Sequence, residues 1–97
     1  MTDDIPELSL SDLSSAVRSS KRRLWIRGDF ESGRDIADLR RFVGLSQSRF
    51  AEALSISVHT LRNWEQDRRR PEGPAIALLR IAARHPRIIR ENLERAA

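Results

Sequence analysis

Residues 46–62 read SQSRFAEALSISVHTLR, and this stretch decides the fold of the chain. Ser46 and Ser57 each precede a run of helix-forming residues, at the position where a side-chain oxygen caps a helix N-terminus. Only Ser55 and Ile56 lie between the runs, so the pattern predicts two short helices joined by a sharp turn. Apolar residues recur at helical spacing in both runs: Phe50, Ala51 and Leu54, then Val58, Leu61 and Trp64.

Three further helices are predicted around this pair. Ser32 with Asp35 fits a capping box, and Gly44 ends that helix in the left-handed conformation that glycine favours. Pro74 opens a helix that is apolar nearly all round, which favours burial, and Pro86 stops it and begins the last helix. From Ser32 onward, the chain is therefore expected to form a compact all-α domain of five helices.

The second helix of the pair presents polar side chains on the face away from its apolar residues. Asn can pair in a bidentate way with adenine, Arg can do so with guanine, and a methyl group can contact thymine. This face therefore suits the major groove of DNA, although Arg62 can instead pair with a carboxylate of its own helix. The candidate contact residues are Ser57, Val58, His59, Thr60, Arg62 and Asn63.

Two neighbouring features add to this surface. Gln47, at the start of the first helix, either offers an amide donor to a phosphate at the helix N-terminus or is merely exposed. A basic run after the second helix suits phosphate contacts, or else forms a solvated loop. Glu65 lies one turn from Arg62 and from Arg69, which predicts an ion pair. The basic run consists of Arg68, Arg69 and Arg70.

Composition limits the function classes. Residues 1–14 hold four acidic residues and no Lys or Arg, so residues 15–97 carry all 18 basic and ten of the 14 acidic residues. Their net charge is +8, against +4 for the whole chain, and a basic body favours polyanions. There is no cysteine, no secretory signal and no apolar run near the ~20 residues that span a bilayer, so we expect a cytoplasmic protein. No motif supports an enzyme, a metal site or a cofactor, since His59 and His85 lie on separate predicted helices.

Residues 1–31 form a separate predicted unit ahead of the domain at 32–97. An amphipathic helix is indicated over Ser9–Arg23, but an isolated helix of that length is marginal in water. The unit is therefore expected to be weakly ordered and to bind a partner. Its apolar stripe consists of Leu8, Leu10, Leu13 and Val17.

Two apolar features have alternative assignments. Residues 21–30 mix basic and large apolar residues and are expected to be extended, and Trp25 within them either anchors on the core or contacts a partner protein. The last helix carries apolar residues that either form a dimer interface or fold back on the helix that begins after Ser32. Those residues are Ile88, Ile89 and Leu93.

The motif resembles the Xre/Cro-type helix-turn-helix. The matching positions are Leu45 to Gln47, Phe50, Ala51, Leu54, Ser57, Thr60 to Gln66, Arg68 and Arg69. With Trp64 to Gln66, a basic run and then Pro71, the chain looks most like the antitoxins of HigBA-type toxin–antitoxin modules, over about residues 35–90. The resemblance implies a lambda-repressor-like fold, and a dimeric repressor that binds its own operator and neutralises an mRNA-cleaving toxin of the RelE/HigB type. The DNA contacts it implies fall on Gln47, Ser57, His59, Thr60, Asn63 and the region of Arg68.

Ser55 and Asp67 depart from the family pattern, which often has Gly at both positions. Both positions predict a left-handed backbone, which Asp tolerates better than most residues. Ser55 is less suited to the left-handed conformation than Asp67. We expect a local adjustment and the same fold.

Some antitoxins of this kind carry a toxin-binding segment ahead of the DNA-binding domain. Residues 1–31 fit that role, because an acidic apolar segment suits a toxin that is expected to be basic. The alternative for this segment is an ordinary disordered tail with a helix packed on the domain, and for the whole chain a stand-alone phage- or plasmid-type repressor without a toxin partner. The expected toxin contacts are Leu8, Leu10, Leu13, Val17 and Trp25.

Overall fold

The computed structural model of the protein describes residues 20–96, which form helices joined by short loops and contain no strand. This confirms the all-helical prediction, and five of the helices are those expected from Ser32 onward. The predicted toxin contacts in residues 1–19 lie outside the described residues. The helices are α1 at 20–26, α2 at Gly33–Val43, α3 at Gln47–Leu54, α4 at Val58–Glu65, α5 at Pro74–Arg84 and α6 at Pro86–Ala96.

One apolar core receives side chains from all six helices. The largest of these side chains lose all or nearly all contact with solvent, and each contributes roughly 1.5–3 kcal/mol of burial free energy. They are Trp25, Ile36, Leu39, Val43, Phe50, Leu61 and Leu79.

Three serines cap the helices as predicted. Each hydroxyl accepts a hydrogen bond from a backbone N–H in the first turn, which contributes about 1 kcal/mol per cap. Gly44 ends α2 with a φ of 91°, in the predicted left-handed conformation. The capping bonds join Ser32 to Arg34 at 3.3 Å, Ser46 to Arg49 at 3.2 Å and Ser57 to Thr60 at 3.0 Å.

Ser55 and Asp67 are left-handed, as the family comparison predicts, with φ values of 59° and 61°. After α3, the N–H groups of Ser55 and Ile56 donate to carbonyls in the last turn, so the backbone closes the helix in Schellman form. Asp67 gains a further bond, because its carboxylate accepts from the N–H of Gly33 at 2.7 Å. These bonds offset the strain of a side chain in this region.

Residues 20–31 pack into the folded domain, whereas the predicted boundary at residue 32 leaves them outside it. The stretch expected to be extended is helical up to residue 26. Arg22 holds α1 on α5, because its guanidinium donates to the carbonyls of the last two α5 residues at 2.7 and 3.1 Å. The helix forms because other elements of the domain cover its apolar face. A local sequence pattern cannot predict that packing.

Two more contacts join α1 to α2. Lys21 forms a hydrogen-bonded ion pair with the buried carboxylate of Asp35 at 3.3 Å, and this bond raises the pKa of Lys21 above its usual value. The guanidinium carbon of Arg22 lies 5.1 Å from the ring centre of Phe42, within range of a cation–π interaction. The helix α1 is thus held on the domain by polar as well as apolar contacts.

Trp25 is the apolar centre of that attachment. Its exposed fraction is 0%, so the core-anchor interpretation is correct, and a toxin contact by this side chain is wrong for the folded domain. Its indole N–H has no acceptor among the described residues, so the ring acts through apolar packing.

The helix α5 is buried on one face only, which is less burial than its nearly all-round apolar sequence predicted. Leu79, Ala82 and Ala83 lie in the core, whereas Ile81 is 43% exposed. The helix packs on the domain at a surface position, because α1 and α6 cover part of its circumference and leave the remainder to solvent.

The helix α6 folds back on the domain. Ile89 and Leu93 are each 5% exposed and belong to the core, so they are not available for the predicted dimer interface; Ile88 remains 51% exposed. Arg90 and Asn92 donate to carbonyls in the last turns of α2 and α3, both at 2.7 Å. Those bonds satisfy helix-end carbonyls that have no partner within their own helices.

Candidate nucleic-acid interface

The helices α3 and α4 form the predicted pair across a sharp turn. Phe50 and Leu61 are fully buried and Trp64 is 7% exposed, so the apolar faces of both helices enter the core as predicted. The opposite face of α4 lies at the surface. It carries the exposed residues Ser57, His59 and Arg62 and the half-buried residues Thr60 and Asn63. Val58, at the start of the helix, is half-buried and packs against the core.

A groove separates the outward face of α4 from the loop that follows it. Its lining brings five of the predicted contact residues onto one surface, three from the helix and two from the basic run. A helix face beside two guanidinium groups is the arrangement that base readout with phosphate contacts requires. The five residues are His59, Thr60, Asn63, Arg69 and Arg70.

Backbone bonds hold the basic run beside α4. The N–H groups of Arg68 and Arg69 donate to the carbonyl of Asn63 at 2.8 and 3.2 Å, and the left-handed Asp67 turns the chain back. The side chains of Arg68 and Arg69 are exposed. Arg70 has a structural role as well, because its guanidinium donates to the carbonyls of the two residues before Ser32, at 3.2 and 3.3 Å.

A polar network joins α2, α3 and α4. Arg40 makes two bonds to Glu65, at 2.8 and 3.3 Å, and the two side chains are only 13% and 8% exposed. The amide of Gln47 donates to Glu65 at 2.9 Å and accepts from Arg62 at 3.3 Å. The expected pairing of Glu65 with Arg62 or Arg69 is wrong. Arg40 was missed because it lies 25 residues away in sequence, and helical spacing reports only near neighbours.

The network gives two predicted DNA-contact residues, Gln47 and Arg62, partners within the protein. Both ends of the Gln47 amide are engaged within the protein, so this side chain positions α4 at the start of α3. Arg62 pairs with that amide and not with a carboxylate of its own helix. Its guanidinium is therefore held toward the start of α3, while the residue remains exposed.

Close backbone packing also fixes the C-terminal end of α4, where Glu65 lies. A Cβ at Gly33 would overlap the carbonyl oxygens of Trp64 and Glu65, so only glycine lets the start of α2 approach this closely. The Asp67 carboxylate on the Gly33 N–H adds a charged cap at the same point. The C-terminal end of α4 is thus held by both α2 and α3.

The loop after α4 is strongly basic. Arg68, Arg69, Arg70 and Glu72 line an adjoining shallow surface, with three positive charges to one negative. Within residues 20–96, no group of three or more His, Asp or Glu side chains is placed to hold a metal ion. None of the helices in this range has the length and apolarity needed to cross a membrane.

Sequence comparison finds one relative named as an antitoxin and another named as a helix-turn-helix transcriptional regulator. Antitoxin HigA-2 of Vibrio cholerae serotype O1 is 42% identical over 52 residues, which are 54% of this chain and about half, 50%, of that protein's length. The uncharacterized HTH-type transcriptional regulator YiaG of Escherichia coli K12 is 28% identical over 93 residues, 95% of this chain and 96% of its own. No protein-family model and no solved structure matches the chain.

The names of the two relatives agree with the geometry of α3 and α4. The relative that aligns over nearly the whole chain is named as a helix-turn-helix regulator, and the relative that shares about half of the chain is named as an antitoxin. The chain is therefore similar to a helix-turn-helix transcriptional regulator and, over about half its length, to a HigA-type antitoxin.

Proposed function

We propose that this protein is a sequence-specific DNA-binding regulator of transcription that places α4 in the major groove of its operator. The observation that carries the proposal is the groove that α4 shares with Arg69 and Arg70. A recognition helix must be held rigidly, and the Arg40–Glu65–Gln47 network supplies that support. A regulator acts in the compartment that holds the DNA, so the proposal includes a cytoplasmic location.

The residues divide into two roles. Asn63 and His59 read base edges, and a good bidentate pair discriminates by roughly 1–3 kcal/mol. Arg68 and Arg69 contact phosphates, which raises affinity on every sequence and makes it depend on salt. Thr60 and Val58 offer methyl groups to thymine, while Ser57 mainly caps α4, since its hydroxyl accepts from the Thr60 N–H and donates to the Thr60 hydroxyl.

Two copies would bind two half-sites of one operator. Helix-turn-helix dimers place their recognition helices about 34–36 Å apart, one turn of DNA. Two of the three predicted dimer residues, Ile89 and Leu93, lie in the core of the monomer, and Ile88 is exposed. The proposed homodimer therefore forms through a surface other than Ile89 and Leu93.

The finer proposal is that the protein is an antitoxin that represses its own operon. Support comes from the name of the Vibrio relative and from the acidic, apolar composition of residues 1–19. The partner would be a basic mRNA-cleaving toxin of the RelE/HigB type. Leu8, Leu10 and Leu13 with Val17 would form the apolar contact.

Co-expression with the product of the neighbouring reading frame tests the antitoxin proposal. The truncation should begin at Ser20, because cutting at residue 31 would remove Trp25 from the core. We expect the full chain to co-purify with the toxin and restore growth, and the 20–97 chain to fold but fail at both. Rescue by 20–97 would move the toxin site onto the helical domain. If neither chain bound, the antitoxin proposal would fall and a repressor without a toxin would replace it.

A further inference from the structure

Two exposed apolar side chains lie at the corner between α5 and α6. Ile81 is 43% exposed and Ile88 is 51% exposed, and among the described residues these are the exposed large hydrophobic side chains. They lie on either side of His85, which bonds to both through the backbone. Ile81 continues into a shallow groove along α5 with Ala77 and Arg84. We call Ala77, Ile81, Arg84 and Ile88 the corner patch.

The surroundings of the corner patch are basic. The helices α1 and α5, with Arg27 after α1, hold six Lys or Arg residues and no Asp or Glu. Arg87 adds another exposed positive charge at the start of α6, and the exposed Glu91 follows one turn later, so basic residues still outnumber acidic ones around the patch. A second copy docking through this patch would bring like charges together, which disfavours self-association. The occupant that fits is apolar and acidic.

Residues 1–19, which we call the leader, have that composition, and they join the described domain at Ser20, close to the corner patch. Arg22 is bonded to the carbonyls of Ala83 and Arg84, so residue 20 lies beside the C-terminal end of α5. Residues 1–14 hold four acidic residues and no Lys or Arg, interleaved with leucines. An extended chain spans about 3.3–3.6 Å per residue, so Leu13 can travel roughly 25 Å from Ser20. The helix α5, at 1.5 Å per residue, is only about 16 Å long.

We propose that residues 1–19 dock on the corner patch of their own chain, with leucines against Ile81 and Ile88 and carboxylates toward Arg84 and Arg87. A short tether gives the leader an effective concentration in the millimolar range, so even a small apolar contact is occupied. Docking requires neither DNA nor toxin. Where the proposed toxin contact is also correct, the toxin and the corner patch compete for one apolar stripe.

Engineered disulfides test the docking, because the chain has no cysteine of its own. The test pair is Leu13→Cys with Ile81→Cys in the full chain, and the control pair is Leu13→Cys with Glu52→Cys, an exposed position on α3. Mild oxidation is followed on non-reducing gels and by peptide mass. We expect an intramolecular disulfide in the test pair at least tenfold faster than in the control pair, with circular dichroism unchanged.

Charge reversal separates docking from random collision. Adding Arg84→Glu and Arg87→Glu to the test pair should reduce its oxidation rate to that of the control pair, at equal helix content. Equal rates for test and control pairs would overturn the proposal. So would a test-pair disulfide that joins two chains, since the corner patch would then be an interface between copies. A test-pair rate indifferent to charge reversal would also overturn it, because the carboxylates would have no role.

Discussion

At the scale of single residues, the contact between Arg40 and Glu65 determines how rigidly α4 is held in the domain. Their pair is nearly enclosed, and Glu65 also accepts from Gln47, so one carboxylate connects three helices. Taking two charges out of water is costly unless each retains a partner. The pair is therefore more informative when broken on one side than as a measure of stability.

Replacing Arg40 with Ala should destabilise the domain by about 3 kcal/mol, because it leaves the Glu65 carboxylate buried without its main partner. Urea unfolding followed by circular dichroism measures the loss. The matched double variant Arg40→Met with Glu65→Leu should lose less than Arg40→Ala alone. A loss below about 0.5 kcal/mol for the single variant would show that the pair contributes no more than an exposed one.

Arg69 should act on DNA through charge alone. Arg69→Ala is expected to lower affinity on all sequences and to reduce the slope of log affinity against log salt by about 1. Arg84→Ala is the matched control, since Arg84 is equally exposed but lies about 14 Å along α5 from Ala75 at the groove. Fluorescence anisotropy at several salt concentrations gives both slopes. An unchanged slope for Arg69→Ala would make the basic run structural.

At the scale of elements, the crossing of α2 and α4 depends on the absence of one side chain. Gly33 has a negative φ and needs no left-handed freedom, so its requirement is purely for space. Gly44 is the reverse case, since a Cβ there would meet open space but the backbone is left-handed. The two glycines separate steric from conformational cost.

Gly33→Ala should destabilise the domain by about 2–3 kcal/mol, because the carbonyls of Trp64 and Glu65 belong to a helix backbone and must move. Gly44→Ala should cost only about 1–2 kcal/mol, the usual penalty for a Cβ in the left-handed region. Thermal unfolding of both variants checks the order. Equal or reversed losses would mean that α2 and α4 can separate without penalty.

At the scale of the whole molecule, α1 belongs to the domain although the sequence pattern assigned it to the leader. Trp25→Ala should cost about 3–5 kcal/mol, as expected for emptying a core aromatic site. Trp25→Phe should cost much less, because the ring is retained and an indole N–H without an acceptor is removed. Removing residues 1–19 should change stability by less than Trp25→Ala does. Unfolding of 20–97 under conditions where the full chain is folded would contradict this division.

The sequence predicted what depends on near neighbours. Ser32, Ser46, Ser57 and Gly44 act within one helical turn, so their caps could be assigned correctly, and the outward face of α4 followed from its apolar spacing. Contacts between distant segments could not be predicted in this way. The pairing of Arg40 with Glu65 is one such case.

The same limit explains why the sequence left the packing of α1 and α6 open. Trp25 and Ile89 had two possible destinations, a core or a partner, and only the packing of α1 and α6 on the domain distinguishes them. Nothing in the local pattern states which surface a helix will cover. The Arg40–Glu65 pair, the burial of Trp25 and the packing of the last helix could not be predicted for the same reason. Each depends on contacts between segments that are distant in sequence.

If the outward face of α4 reads base sequence, a substitution there must weaken binding to one sequence more than to others. The direct test is to select the operator from random DNA with the full chain and then to compare Asn63→Ala with the parent on that operator and on a scrambled duplex. We expect a tenfold or greater loss of affinity for the operator, with affinity for the scrambled duplex nearly unchanged, since one bidentate contact contributes roughly 1–3 kcal/mol. Equal losses on both duplexes, or no loss on either, would contradict readout through α4.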